Sequence, residues 1–178
     1  MTIERLATQG RKYIPQTLSE RNYEDVFKSR NNTLRNMLVD KSCFKHKNEI
    51  IATIKGVNYI DDAKSITSNS SWFTLEMTSN PVIWILEFNG DCKQLSNMKN
   101  IVKQKVHTLI IISKQSNSIS QLFTGLTNVI QAEDLDSAVK TAYYFASAPD
   151  FVVYSPASGN EEDIELKGNN FAHLVRSL

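Results

Sequence analysis

Residues 56–76 read GVNYIDDAKSITSNSSWFTLE, and this stretch decides how the chain folds. Val57–Ile60 is a β-rich run that closes on two carboxylates, Asp61 and Asp62, followed by Lys64. A polar turn then leads into SSWFTLEMTS (70–79), which reads as a helix. A strand that ends on charged residues and turns into a helix is the repeating unit of an open α/β sheet. Such sheets place ligands at the carboxyl ends of their strands.

Working outward, EIIATI (49–54) precedes the stretch, and Lys55-Gly56 supplies the turn of a β-hairpin. Downstream, strand-like and helix-like runs alternate. PVIWILEF (81–88) reads as a buried strand and LSNMKNIVKQKV (95–106) as a helix. HTLIIIS (107–113) is a strand and SISQLFTGL (118–126) a helix. NVIQAE (128–133) is a short strand, and DLDSAVKTAYYFAS (134–147) is a helix with Asp134 as its N-cap. DFVVYSP (150–156) is the last strand and GNNFAHLVRSL (168–178) the last helix. Continuously apolar strands indicate a sheet covered on both faces. The predicted fold is therefore α/β, a Rossmann-like and mostly parallel sheet with helices on both sides, preceded by the hairpin and an N-terminal helical segment. Within residues 1–43, SERNYEDVFKSR (19–30) reads as a helix capped by Ser19, and TLRNMLVDKSC (33–43) as another with Leu34, Met37 and Leu38 on one face. The expected division is a helical extension, 1–43, and a domain, 44–178.

Composition narrows the partners. The net charge of +1 gives no strong pull toward nucleic acid, and no apolar run is long enough to span a bilayer. The N-terminus has no apolar signal region, and Cys43 and Cys92 form no CxxC pair, so a reduced cytoplasmic setting is expected. His46, His107 and His173 are isolated and give no metal-ligand spacing.

Three strand-end loops carry the candidate chemistry: Asp61–Ser65, Glu87–Lys93 and Ser155–Asn160. Together they offer carboxylate, ammonium and hydroxyl groups for a phosphorylated or carboxylated ligand. Composition alone favours helix caps over ligand contacts in each loop. Trp72, Phe73, Leu75 and Trp84 read as core. Cys92 has no partner base and is not read as a nucleophile. Glu161, Glu162 and Asp163 read as a solvated loop rather than a metal site.

Residues 56–76 also resemble the start of the C-terminal domain of the Mur ligases, whose D-glutamate-adding branch has roughly G-V-x-[WY]-I-N-D-S-K-A-T-N-x-x-S-T there. FKHKNE (44–49) is similar to the L-x-H-R-x-E segment leading into that domain. FVVYSPASGN (151–160) is similar to V-L-L-S-P-A-C-A-S, and KGNNFAHLV (167–175) to the R-G-x-x-F of its last helix. The resemblance implies an ATP-dependent amide ligase of peptidoglycan precursor synthesis, in which this domain holds the incoming amino acid and closes on the nucleotide. Carried over residue by residue, it assigns substrate contact to Asp62, Lys64 and Ser155, with Lys93 as the stand-in for a further lysine. It assigns no catalytic residue and no metal ligand.

The departures from the family pattern are specific. No phosphate-cradling G-x-x-x-x-G-K-[ST] occurs in the sequence. Ile66 stands where the family has threonine. Glu87-Phe88 stands where the family has Gly-Gly, and Asp91 falls on its lysine. The loop after Ser155-Pro156-Ala157 is shorter and acidic, which disfavours an anionic substrate. The expectation is a stand-alone, degenerate domain, non-catalytic alone, that acts as a binding or regulatory module with a protein partner in cell-wall synthesis. It would take no cofactor in isolation. The alternative is one part of a split ligase, in which a partner chain supplies the ATPase domain with ATP and magnesium. A third reading, a fragment of a longer protein, is disfavoured by Met1.

Overall fold

The computed structural model describes residues 45–178; the two helices expected within 19–43 lie outside them. Strands β1 (Glu49–Ile54) and β2 (Val57–Asp61) form the hairpin. Lys55 and Gly56 both take positive φ, 50° and 80°, the pairing that a two-residue turn matched to strand twist requires. A side-chain-free residue suits this place for a second reason, since a Cβ on Gly56 would lie 2.9 Å from that of Ala148.

Helix α1 (Ser68–Met77) follows, then β3 (Val82–Glu87). A 3₁₀ segment (Cys92–Met98) runs into α2 (Lys99–Lys105). The rest is β4 (Val106–Ile112), α3 (Ser116–Phe123), β5 (Asn128–Gln131), α4 (Leu135–Phe145), β6 (Phe151–Tyr154) and α5 (Ile164–Arg176), the last preceded by a 3₁₀ turn (Glu161–Asp163). The six strands lie in the order β1-β2-β6-β3-β4-β5. Only β1 against β2 is antiparallel; every other pair is parallel. The α/β reading is thus correct, down to the Asp134 cap. That carboxylate accepts from the Ser137 N–H at 2.8 Å, and the Ser137 hydroxyl answers at the Asp134 N–H.

Alternation along the strands explains the unbroken apolar runs. Val82, Trp84 and Leu86 of β3 face one core layer with Leu75, Ile101, Val102, Ile119 and Phe123. Ile83 and Ile85 face the other, with Leu135, Val139, Ala142, Phe171 and Val175. Helices α1, α2 and α3 cover the first layer, and α4 and α5 the second. Both faces are therefore dry, as a parallel sheet requires.

Three expectations need correction. Phe73 is not core; it is 62% exposed, whereas Leu75 is fully buried and Trp72 packs at the core's edge. Helical spacing placed all three together, but residues 73 and 75 lie about 200° apart around a helix. The helix expected from residue 95 begins as a 3₁₀ segment at Cys92, because Asp91 caps it there. The last helix begins at Ile164 rather than at Gly168.

Candidate functional site

The two carboxylates ending β2 point to opposite sides, as strand geometry dictates. Asp61 is fully buried. Its Oδ2 accepts from His46 Nδ1 at 2.6 Å and its Oδ1 from the Ala63 N–H at 3.1 Å. The His46 ring lies against α5 where Gly168 has no side chain; a Cβ there would sit 2.1 Å from Nδ1. Buried His46 Nε2 has no hydrogen-bond partner among the described residues.

Asp62 turns toward α1. Its N–H extends the β2–β6 ladder by donating to the Tyr154 carbonyl at 2.9 Å. Its Oδ1 accepts from the Asn48 N–H at 3.1 Å, and its Oδ2 from the Ser155 hydroxyl at 3.0 Å. Ser155 Oγ also lies 2.6 Å from Ser71 Oγ of α1, and the Trp84 indole N–H donates to the Ser155 carbonyl at 2.9 Å. Asp62 is 1% exposed and Ser155 not at all. The structure thus brings these two predicted residues together, beneath the surface. Burial raises the Asp62 pKa, against the opposing bonds from Ser65, Thr74, Ser155 and Asn48.

A carboxyl group whose pKa is raised in the native state binds its proton more tightly when folded. The stability tied to that proton is fully present below the unfolded pKa and is lost as pH rises through the native value. Asp62→Asn keeps the shape and never ionises. We expect its stability relative to wild type to improve as pH rises above the ordinary carboxylate range of about 4, as measured by urea denaturation at each pH.

Lys64 is half-buried, and its backbone N–H donates to the His46 carbonyl at 2.9 Å. Lys93 is exposed at the start of the 3₁₀ segment, where its N–H donates to Asp91 Oδ1 at 3.0 Å. Asp91 therefore holds this turn together, and Lys93 takes no part in the Asp62–Ser155 network. Cys92 is half-buried and its thiol donates to Gln115 Oε1 at 3.0 Å.

The rim loops are tied to one another. Glu87 pairs with Lys167 at 2.8 Å and accepts from the Tyr154 hydroxyl at 2.5 Å; burial and this carboxylate raise the Tyr154 pKa. Phe88 is fully buried in the first core layer, and Gly90 passes so near that a Cβ would lie 2.8 Å from its ring. The Asn89 N–H donates to Ser158 Oγ at 2.9 Å, the Ala157 N–H donates to the Ser65 carbonyl at 2.9 Å, and Thr67 bridges to Ser158. Ile66 lies beside Gly159. A groove of about 540 Å³ opens along the same rim, but on the β4 and β5 side. Glu87, Asn89, Ser113, Lys114, Gln131 and Glu133 line it. None of Asp62, Lys64, Lys93 and Ser155 reaches it. No cluster of metal-ligating side chains occurs among the described residues.

Sequence reasoning missed His46, Ser71 and the polar use of Trp84. His46 stood as one of three scattered histidines, although the FKHKNE resemblance contained it. Ser71 and the Trp84 indole carried no signal separable from a helix surface and a core strand.

Comparison with known proteins now bears on this geometry. No protein-family model matches the chain. It is 32% identical over 153 residues to UDP-N-acetylmuramoylalanine–D-glutamate ligase of Porphyromonas gingivalis, covering 84% of this chain and 34% of that one. It is 29% identical over 137 residues to the protein of the same name from Chloroherpeton thalassium, covering 75% and 29%. The chain thus spans about a third of the length of the curated relatives it matches. Among solved structures, a murein peptide ligase from Psychrobacter arcticus shares the fold, with a TM-score of 0.53 at 11% identity over 75% of this chain and 30% of that one. No helix among the described residues is long and apolar enough to cross a membrane. The resemblance read from residues 56–76, the six-stranded sheet and these relatives agree: the chain carries a Mur ligase-like domain.

Proposed function

We propose that this chain is a degenerate Mur ligase C-terminal-like domain that does not ligate by itself and serves as a binding or regulatory module in peptidoglycan precursor synthesis. The observation that carries this reading is the burial of Asp62 and Ser155. A substrate-binding pair must reach its ligand, yet these two face each other and Ser71 beneath loops cross-bonded at Ser65–Ala157 and Asn89–Ser158. The Glu87-Phe88 pair adds to it. Phe88 fills the core and Glu87 is engaged by Lys167 and Tyr154, so neither leaves the bare backbone that two glycines would present to a ligand. The test is release of inorganic phosphate from ATP in the presence of magnesium, UDP-N-acetylmuramoylalanine and D-glutamate. The chain alone is expected to match the protein-free blank, and sustained turnover overturns the reading.

One observation favours a second reading, the split ligase. An acidic side chain is kept at position 62 although burial works against its charge and raises its pKa, an arrangement that recurs at ligand sites. Under this reading a partner chain brings the ATPase domain with ATP and magnesium, and Lys64, two residues on, faces the shared site. Complementing activity would then appear on mixing, and Lys64→Ala would abolish it; an unaffected variant counts against this reading.

A further inference from the structure

Helix α1 is apolar on two sides. Leu75 is buried and Trp72 packs at the core's edge, while Phe73 and Met77, four residues apart, stand outward at 62% and 74% exposure. Phe73 meets Trp72 edge-to-face at 5.3 Å, so the outward ring is held in place. Outward, the helix otherwise carries polar Asn69 and Glu76, so Phe73 and Met77 are its exposed apolar pair. Its neighbour is the 3₁₀ segment with α2. Asn97 Nδ2 donates to Asn69 Oδ1 at 2.9 Å at one end, and Lys105 Nζ donates to the Glu76 and Thr78 carbonyls at 2.8 and 2.7 Å at the other. The two elements therefore run side by side, and Lys99 and Lys103 are exposed along the second. From residue 92 to residue 132 the sequence contains Lys93, Lys99, Lys103, Lys105 and Lys114 and no Asp or Glu. Six acids sit on the opposite layer, Asp134, Asp136, Glu161, Glu162, Asp163 and Glu165, while Glu76 is exposed on α1 and Asp91 caps the 3₁₀ segment. The α2 side is thus the more basic and the α4–α5 side the more acidic, with Glu76 on α1 and Lys140, Lys167 and Arg176 on the second layer as the exceptions.

We propose that the α1–α2 face is a docking surface for an acidic protein, with Phe73 and Met77 as apolar anchors and Lys99 and Lys103 as the charged rim. This rests on the reading of the chain as a binding module and names the surface that binds. Charge selects the occupant. A second copy presenting the same face would meet like charge, and its acidic face would make a head-to-tail contact that does not close on itself without a matching rotation. An outward aromatic and a methionine flanked on the α2 side by Lys99 and Lys103 fit the composition of protein interfaces, whose cores are enriched in aromatic residues and Met.

The experiment places the photocrosslinker p-benzoylphenylalanine at Phe73 of the full chain, in cells that express it, with a second probe at Tyr144, 84% exposed on the opposite layer, as control. Conjugates are identified by mass spectrometry, and the captured protein is then purified and its Kd for the full chain measured. The expected result is a conjugate specific to position 73, joined through a peptide rich in Asp and Glu. Its Kd should weaken at least tenfold in the Lys99→Glu/Lys103→Glu variant and, independently, in Phe73→Ser. All three side chains are exposed, so thermal midpoints near wild type confirm folding. A conjugate dominated by a second copy, lipid or nucleic acid overturns the proposal. So does the absence of any product beyond the Tyr144 control, or a Kd indifferent to both variants. None of these residues belongs to the rim loops, so turnover by the chain alone would remove the non-catalytic reading without deciding this test.

Discussion

Trp84→Ala is expected to lower stability by about 4 kcal/mol, the upper part of the range for emptying a large aromatic site in a core. Trp84 is fully buried in the central strand β3, paired on one side with β6 through Val153 and on the other with β4 through Leu109. Its ring fills the first core layer between the sheet and helices α1 and α2. Loss of the indole also strips the Ser155 carbonyl of its side-chain donor. Trp84→Phe separates the two effects. It retains most of the apolar volume and removes only the donor, so it is expected to cost about 1–3 kcal/mol. Urea denaturation of both variants, analysed with a common slope, checks the ranking. Since small domains are stable by roughly 5–15 kcal/mol, the alanine variant should be marginal at physiological temperature. If the two variants cost the same, Trp84 acts mainly through its hydrogen bond and not through packing.

Gly168→Ala is expected to destabilise by about 3 kcal/mol, although alanine is ordinarily better than glycine inside a helix by about 1 kcal/mol. The reversal follows from contact. The new methyl group would lie 2.1 Å from His46 Nδ1, so the ring must leave, and with it goes the 2.6 Å bond to buried Asp61. Disrupting a buried pair of this kind costs about 3–5 kcal/mol, which outweighs the gain in helix propensity. The same collision makes the prediction specific. In a His46→Ala background the obstacle is absent, and Gly168→Ala should become neutral or slightly stabilising. A double-mutant cycle by chemical denaturation should therefore show a coupling of about 3 kcal/mol or slightly more between residues on opposite ends of the domain sequence. Additive effects would mean that the glycine serves the helix backbone and not the histidine.

These two residues also show where sequence reading succeeds and where it stops. The sheet was legible because alternation of strand and helix patterns, the Lys55-Gly56 turn and the Asp134 cap are all local signals. Continuously apolar β3 and β4 pointed to two covered faces, and the core layers follow that pattern. Trp84 was correctly placed in the core, but its N–H partner lies in a loop 71 residues away and has no local trace. Gly168 was visible as part of a family-like segment, while its reason, the His46 ring, comes from the other end of the domain. Phe73 failed because a short apolar stretch on a helix does not reveal which side faces out. At the site, the types of residue at the strand ends were readable and their mutual bonding was not. Asp62 and Ser155 were named as ligand contacts from matched positions, and their burial arises from Ser71, Asn48 and the cross-bonded loops, each a tertiary contact.

The central claim is that a Mur ligase-like fold persists here while the β2–β6 end of its rim, at Asp62 and Ser155, is closed by its own side chains. Isothermal titration calorimetry of the full chain tests it most directly, with a non-hydrolysable ATP analogue plus magnesium, D-glutamate and UDP-N-acetylmuramoylalanine titrated in turn. The account predicts no saturable heat for any of the three. Saturable binding with a micromolar Kd that is lost on Lys64→Ala would contradict it and show that the Asp62–Lys64 end of β2 still opens to a ligand.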